Sequence, residues 1–293
     1  MKMSDLLGFE QIEKQLFDAF SKGKLPHALI ISGKKGSGKA SFSKNFAFKI
    51  TNSNPDILVI EKDDEKREIT VDKIRNIKDF VNQTSAISKE KFIIIDSACE
   101  LNKSGSNALL KILEEPQKDN FLILIAHNIN RVLPTIRSRC QTFKNNDLSR
   151  DQFAKIIKNN VDFLSEICDQ SPAQAINSGA ELARFYELFL RSILNRKLNE
   201  ELLKKAAEKT YDFSIIERSC EFFFCRMIKF LSRDEFRFFF EEEKVFLTIK
   251  PKFSAEELFQ TADESMILLH KTTSLYLDKK ITLLNIFNKI CRD

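Results

Sequence analysis

Four runs of consecutive apolar residues mark the first half of the chain: HALIIS (27–32), DILVIE (56–61), KFIIID (91–96) and FLILIA (121–126). Each has the length of a strand, and none alternates apolar with polar as a strand with one wet face would. Continuous runs are what a parallel sheet covered on both faces requires. Between the runs the spacing becomes helical. Val71, Ile74, Ile77 and Val81 share one face of a helix predicted to cap near Thr70, and Ala108, Leu109, Ile112 and Leu113 share a face of another that ends before Pro116. Strands alternating with helices imply right-handed crossovers and a doubly wound sheet.

No further strand is expected beyond residue 145. Ser149 can cap a helix running to about Lys158, a second helix is expected over 161–168, and Ser171-Pro172 opens a third. From residue 181, Leu182, Phe185, Phe189 and Ile193 mark a new helical face, and more helices follow around 198–209, 213–232, 255–270 and 275–291. The seven glycines agree with this division: Gly33, Gly36 and Gly38 cluster, and none follows Gly179. The expected organisation is an α/β domain over 1–145, a small helical piece over 146–180 that must pack on a neighbour, and an all-helical domain over 181–293. Much of the phenylalanine (27 residues) falls in that last part, as in EFFFCRMIKF and FRFFF. It reads as core and oligomer interface rather than as a platform for stacking bases.

Composition then excludes several classes. With 293 residues, 43% hydrophobic and 30% charged, the chain is neither disordered nor in need of disulfide or metal staples. The net charge of +5 comes from 47 basic and 42 acidic residues spread along the chain, without the basic stripe of a protein that binds DNA by itself. Any nucleic acid would be met with other chains contributing. Six cysteines include no C-x-x-C pair, so neither a zinc site nor a redox dithiol is suggested. No uncharged stretch exceeds eleven residues, short of the roughly 20 that a membrane-spanning helix needs. The N-terminus, MKMSDLLGFEQIEKQ, has acids and a helical period where a signal peptide would carry an apolar block, so a cytoplasmic location is expected.

The strongest local motif is GKKGSGKAS (33–41), with Walker A spacing from Gly33 through Gly36 to Gly38-Lys39. Glycines let backbone N–H groups close around phosphates, and the helix that follows adds its N-terminal dipole. The Mg²⁺-binding Ser or Thr after the lysine is missing: that position is Ala40, and Ser41 lies about 100° further around the helix. A second motif should end a strand with Asp for Mg²⁺ and Glu to polarise water. FIIID supplies Asp96, but Ser97 follows, and Glu100 is three positions on. Asp96 reads as a degenerate Walker B residue or as an ordinary polar strand end.

NALLKILEEP (107–116), the spacing onward to FLILIAHNINRVLPTIRSRCQTF (121–143), and the P-loop upstream resemble bacterial clamp loaders of the AAA+ class. The stretch 54–102 resembles delta′-type subunits of the alphaproteobacterial kind. The resemblance is close over about 8–145, loose over 146–180, and rests only on helical character beyond. It implies an AAA+ P-loop domain with a parallel sheet, a helical lid and an all-α collar that joins subunits into a ring. It also implies that His127 stands at the sensor position of the fourth strand and Gln174, in SPAQA, at the position of the lid arginine. With Ala40 and Ser97, four positions depart from the ATP-hydrolysing pattern. Ser138-Arg139-Cys140 matches the SRC motif, whose arginine in this family reaches the ATP of the neighbouring subunit; the alternative is a surface arginine capping the short helix before it. Zinc is not expected, because the cysteine module some relatives carry is replaced here by TNSN (51–54).

The implied function is a non-hydrolysing clamp-loader subunit of DNA polymerase III. Its implied partners are gamma/tau and delta subunits, the sliding clamp, and primed template DNA through the assembled complex. No cofactor of its own is expected beyond weak nucleotide binding at Lys39, with ATP contacted in trans, and no membrane partner. Two rivals are an active gamma/tau-like ATPase, which Ala40 and Ser97 oppose, and a P-loop kinase, for which the helical C-terminal part offers no acceptor site.

Overall fold

The computed structural model describes residues 7–63, 68–84, 86–232 and 237–292. Phe236 of the FRFFF run, and the first six residues of the N-terminal segment read above for a signal, lie outside them. The chain divides into two compact units. One runs to Ile156 and adds Gln170–Ala173; the other comprises Ile157–Asp169 and everything from Gln174 onward. The segment 146–180 is thus shared between the two units.

In chain order the first unit contains α1 (Glu10–Ser21), β1 (Ala28–Ser32), α2 (Lys39–Thr51), β2 (Ile57–Glu61), α3 (Val71–Asn82), β3 (Lys91–Asp96), α4 (Lys103–Glu114), β4 (Asn120–Ala126), α5 (Pro134–Arg137), β5 (Gln141–Lys144) and α6 (Arg150–Ile156). The strands form one parallel sheet in the order β2-β3-β4-β1-β5. Alternation along each strand sends side chains to opposite faces, and both faces are covered. Ile30, Ile93, Ile95, Leu122 and Leu124 pack with Ile74 and Ile77 of α3, Leu109 and Leu113 of α4, and Ile136 of α5. Leu29, Ile31, Phe92, Ile94, Ile123 and Ile125 pack with Ile12 and Leu16 of α1 and with Phe42 and Phe46 of α2. Fully burying each such side chain contributes about 1.5–3 kcal/mol, which explains why the strands read as unbroken apolar runs.

The helix ends follow from local chemistry. At the start of α6, Ser149 and Gln152 bond reciprocally: the Gln152 N–H donates to the Ser149 hydroxyl (3.2 Å) and the Ser149 N–H to the Gln152 amide oxygen (2.9 Å). Thr70 occupies the N-cap of α3 with extended backbone but without a side-chain cap bond. The other end of α3 is closed by Lys91, whose buried ammonium donates to the carbonyls of Phe80 (2.7 Å) and Gln83, the favourable charge for a helix C-terminus.

β5 was not anticipated in the sequence. As an edge strand it is exposed at Gln141, Thr142 and Lys144 and only half-buries Phe143, so it carries no apolar run.

The second unit contains α7 (Val161–Ile167), α8 (Pro172–Leu194), α9 (Glu200–Ala207), α10 (Phe213–Leu231), α11 (Glu242–Ile249), α12 (Ala255–Leu275) and α13 (Lys279–Ile290); the first residues of α8 belong to the first unit. The helices expected at 172 and at 181 are one. Gly179 does not break α8 because it is a contact point: a Cβ there would stand 3.1 Å from Leu164 Cδ1 of α7. α11 was also not anticipated. The phenylalanines of this unit are largely core, with Phe185, Phe189, Phe223, Phe224 and Phe246 all buried. No helix among the described residues is long and apolar enough to cross a membrane.

Candidate functional site

Parallel strands place their C-terminal ends along one edge of the sheet, and the neighbour relations decide which loops meet there. β1 pairs with β4, Ser32 beside Ala126, and β4 pairs with β3, Ile125 beside Asp96. The loop after β1, the end of β3 and the residue after β4 are therefore adjacent. These are the P-loop, Asp96 and His127.

The loop Gly33–Gly38 turns into α2, with Gly38 as a left-handed N-cap (φ +91°). Gly36 has φ +77°, and a Cβ on it would stand 2.1 Å from the Ser171 hydroxyl. The Ala173 N–H donates to the Gly36 carbonyl at 3.3 Å. Behind the loop, the Asn145 N–H donates to Ser32 O at 2.7 Å, and its side chain lies against Gly33. Lys39 is 2% exposed. Its ammonium donates to the carbonyls of Gly33 (2.8 Å) and Lys34 and to the Ser37 hydroxyl (3.3 Å). Burial lowers its pKa to about 8, with the charges of Asp96 and Cys99 pulling the other way. Ala40 packs against the core cluster beneath α2, and Ser41 points away, exposed. No hydroxyl stands where a P-loop places its Mg²⁺ ligand.

Asp96 is partly buried, and burial raises its pKa, with Glu61 adding to the shift. His127 Nε2 lies 3.8 Å from Asp96 Oδ1. Burial first, then the charges of Lys39 and Lys35, lower the His127 pKa to about 4. The imidazole is neutral at pH 7 and too weakly basic to activate water well. Ser97 is buried, and its hydroxyl accepts from the Cys99 N–H at 3.2 Å, capping a short 3₁₀ turn over Ala98–Glu100. Glu100 is the last residue of that turn, with Lys62 Nζ 3.5 Å from its carboxylate. β3 thus ends in one carboxylate, Asp96, followed by Ser97 where a general base would stand, and Glu61, opposite Asp96 on β2, is paired with Lys44 at 2.9 Å. Gln174 lies in the second unit, the third residue of α8.

Arg139 follows α5 and is exposed. Nη1 donates to Thr135 O at 3.1 Å and to the Ser138 hydroxyl at 3.4 Å, while Nη2 donates to Glu114 Oε1 at 2.9 Å. In the chain by itself the guanidinium therefore does what the capping alternative describes, and it has an acidic partner as well. Ser138 donates to the same Thr135 carbonyl at 3.0 Å. Cys140 is half-buried against the core, and burial pushes its thiol up to about 11. It is a packing residue and not a nucleophile. Glu114 lies within NALLKILEEP, and its contact with Arg139 spans 25 positions and has no local signal in the sequence.

The family model described as "DNA polymerase III, delta subunit" matches residues 48–149. The delta′ subunit of DNA polymerase III from Pseudomonas aeruginosa is 33% identical over 135 residues, covering 39% of this chain and 41% of that protein. The gamma/tau subunit from Mycoplasma genitalium is 29% identical over 253 residues, covering 76% of this chain and 40% of that protein. The chain spans less than half the length of these curated relatives. Among solved structures, a gamma subunit-related protein of DNA polymerase III from Thermotoga maritima superposes with a TM-score of 0.54 at 20% identity, over 97% of this chain and 99% of that one. The fold is shared along 97% of the chain.

Proposed function

We propose that the chain is a delta′-like member of the AAA+ clamp-loader family and, within that family, a non-hydrolysing subunit that supplies Arg139 to the ATP site of a neighbouring gamma/tau subunit. The observation that carries the reading is the state of the phosphate site. The loop and its lysine keep the P-loop form, yet Ala40 offers no metal ligand and the Ser97 hydroxyl is committed to a turn. Arginine suits the remaining task, because its fixed charge and planar fork match phosphate oxygens where negative charge develops. The proposed partners are gamma/tau and delta subunits, the sliding clamp, and primed DNA through the assembled complex, in the cytoplasm. Lys39 can hold phosphate weakly, without turnover.

A second reading, an ATP-hydrolysing gamma/tau-like subunit, draws on the longer alignment to gamma/tau. Residues 40 and 97 oppose it.

The purified chain should show no Mg²⁺-dependent ATP turnover above background. Steady turnover that is lost in a Lys39→Met variant shown by thermal unfolding to stay folded overturns the proposal in favour of the second reading. In reconstituted loaders, Arg139→Ala should leave the chain folded, since an exposed ion pair contributes only about 0.2–1 kcal/mol. It should lower clamp- and DNA-stimulated ATPase, and Arg139→Lys should rescue poorly. Trans-acting fingers on GTPases contribute about 10³–10⁵ in rate, and a loader with other intact sites loses less overall. Unchanged turnover and clamp loading in Arg139→Ala reduce the residue to a helix cap.

A further inference from the structure

We propose that Glu114 is a positioning residue that holds Arg139 in a parked state, from which the guanidinium is released only when the neighbouring ATP site closes on it. This rests on the reading of Arg139 given above and assigns a role to the end of NALLKILEEP, which that reading leaves without one.

Glu114 is the last residue of α4, followed by Glu115 and by Pro116. A carboxylate at that end meets the negative pole of the helix dipole and the unpaired carbonyls of the last turn, so it does not serve the helix. It meets Arg139 instead, at 2.9 Å on Nη2, while Thr135 O and the Ser138 hydroxyl take Nη1. The guanidinium is thereby held from two sides in one orientation on the surface. The side chains are 38% and 52% exposed for Arg139 and Glu114, so the pair is solvated and easily exchanged. A phosphate oxygen arriving from a neighbour would compete with Glu114 for the same donor, and a more highly charged anion prevails. Two states follow, parked and engaged, with Glu114 favouring only the first. A contact present in one state alone shifts the equilibrium by its own strength.

The test uses the reconstituted loader with this chain at full length, and ATPase is measured with and without clamp and primed DNA. Glu114→Gln removes the charge at an exposed position and keeps the shape. The unstimulated rate should rise about 1.4- to 5-fold, the range that exposed ion pairs of ordinary strength allow. The fully stimulated rate, where Arg139 is already engaged, should not change. Glu114→Asp should return the unstimulated rate toward that of the unmodified chain. In an Arg139→Ala background Glu114→Gln should be silent, since nothing remains to release. A stimulated rate lowered by Glu114→Gln, no change in the unstimulated rate, or the same rise with and without Arg139 each overturn the parking role while leaving the finger standing. If Arg139→Ala itself has no effect on turnover, the finger falls and the parking role falls with it.

Discussion

The second unit contains a buried charge cluster whose removal has a calculable effect. Glu242, at the start of α11, is 0% exposed, and both carboxylate oxygens are committed. Oε1 accepts from the Tyr186 hydroxyl (2.6 Å) and Arg226 Nε (2.6 Å); Oε2 accepts from Arg226 Nη2 (2.7 Å) and the Phe239 N–H (2.8 Å). Arg226 is itself 2% exposed, stacks on Phe239 with 4.4 Å to the ring centroid, and donates further to Glu166 at 2.7 Å and to the Arg237 carbonyl. Glu242→Ala takes from the buried Arg226 guanidinium the carboxylate that accepts from both its Nε and Nη2, and it removes the acceptor of the Tyr186 hydroxyl. Breaking one side of a buried pair costs about 3–5 kcal/mol, a large share of the roughly 5–15 kcal/mol that holds a domain together. Replacing both charges by apolar groups of similar size removes the uncompensated charge but still strands the Tyr186 hydroxyl, so Arg226→Met with Glu242→Leu should recover much of the loss, and adding Tyr186→Phe should recover more. The assay is urea unfolding followed by tyrosine fluorescence. The chain has no tryptophan, and its three tyrosines, Tyr186, Tyr211 and Tyr276, all lie in the second unit, so the signal reports that unit alone. A cost below about 1 kcal/mol for Glu242→Ala, or a double variant as unstable as the single one, would refute the electrostatic argument and leave packing as the cause.

Two further tests concern the phosphate loop. The folded chain holds the Lys39 proton less tightly than the unfolded chain, with a pKa near 8 against 10.5, so the unfolded state binds more protons between those values. Folding stability should therefore rise with pH from about 8 to 10.5, this contribution being flat below 8, and Lys39→Met should remove that slope. Over the same rise the ammonium loses its charge, so phosphate binding, read by calorimetry in the unmodified chain, should weaken as pH passes 8. Gly36→Ala places a Cβ at φ +77° against Ser171, and it should lower the stability of the first unit by about 1–3 kcal/mol as read by thermal unfolding; no change in melting would show that the loop rearranges freely.

Legibility followed the range of the interactions. β1, β3 and β4 are sandwiched between helices, so their central residues had to be apolar on both faces, and the runs were visible. β5 pairs with one neighbour only and meets the solvent, so QTFK carries no signal. The continuity of α8 was hidden by Gly179, because a close approach to Leu164 cannot be told from a helix break without knowing what lies opposite. α11 begins with a buried glutamate, Glu242, whose partners lie 16 and 56 residues away, so nothing in its own segment marks it as a core residue. At the site, the P-loop was legible because consecutive residues encode its backbone. The approach of His127 to Asp96 and of Glu114 to Arg139 depends on strand order and helix placement, which no local window contains.

The persistence of the P-loop form without its metal ligand has a physical explanation that does not invoke nucleotide. Lys39 is tied to the carbonyls of Gly33 and Lys34, Gly36 receives the Ala173 N–H, and Asn145 closes the back of the loop through Ser32. Within the first unit the loop is thus a joint between β1, α2, the segment after β5 and the residues that open α8. A buried lysine whose charge burial already disfavours cannot be shortened to Ala without stranding those carbonyls, so Lys39→Ala acts on folding as well as on phosphate. Nucleotide is then no longer needed to account for the lysine, whereas nothing in the fold requires Arg139, whose contacts are exposed and weak. A functional effect of Lys39 variants must accordingly be separated from unfolding before it says anything about ATP. One at Arg139 speaks directly to the neighbour.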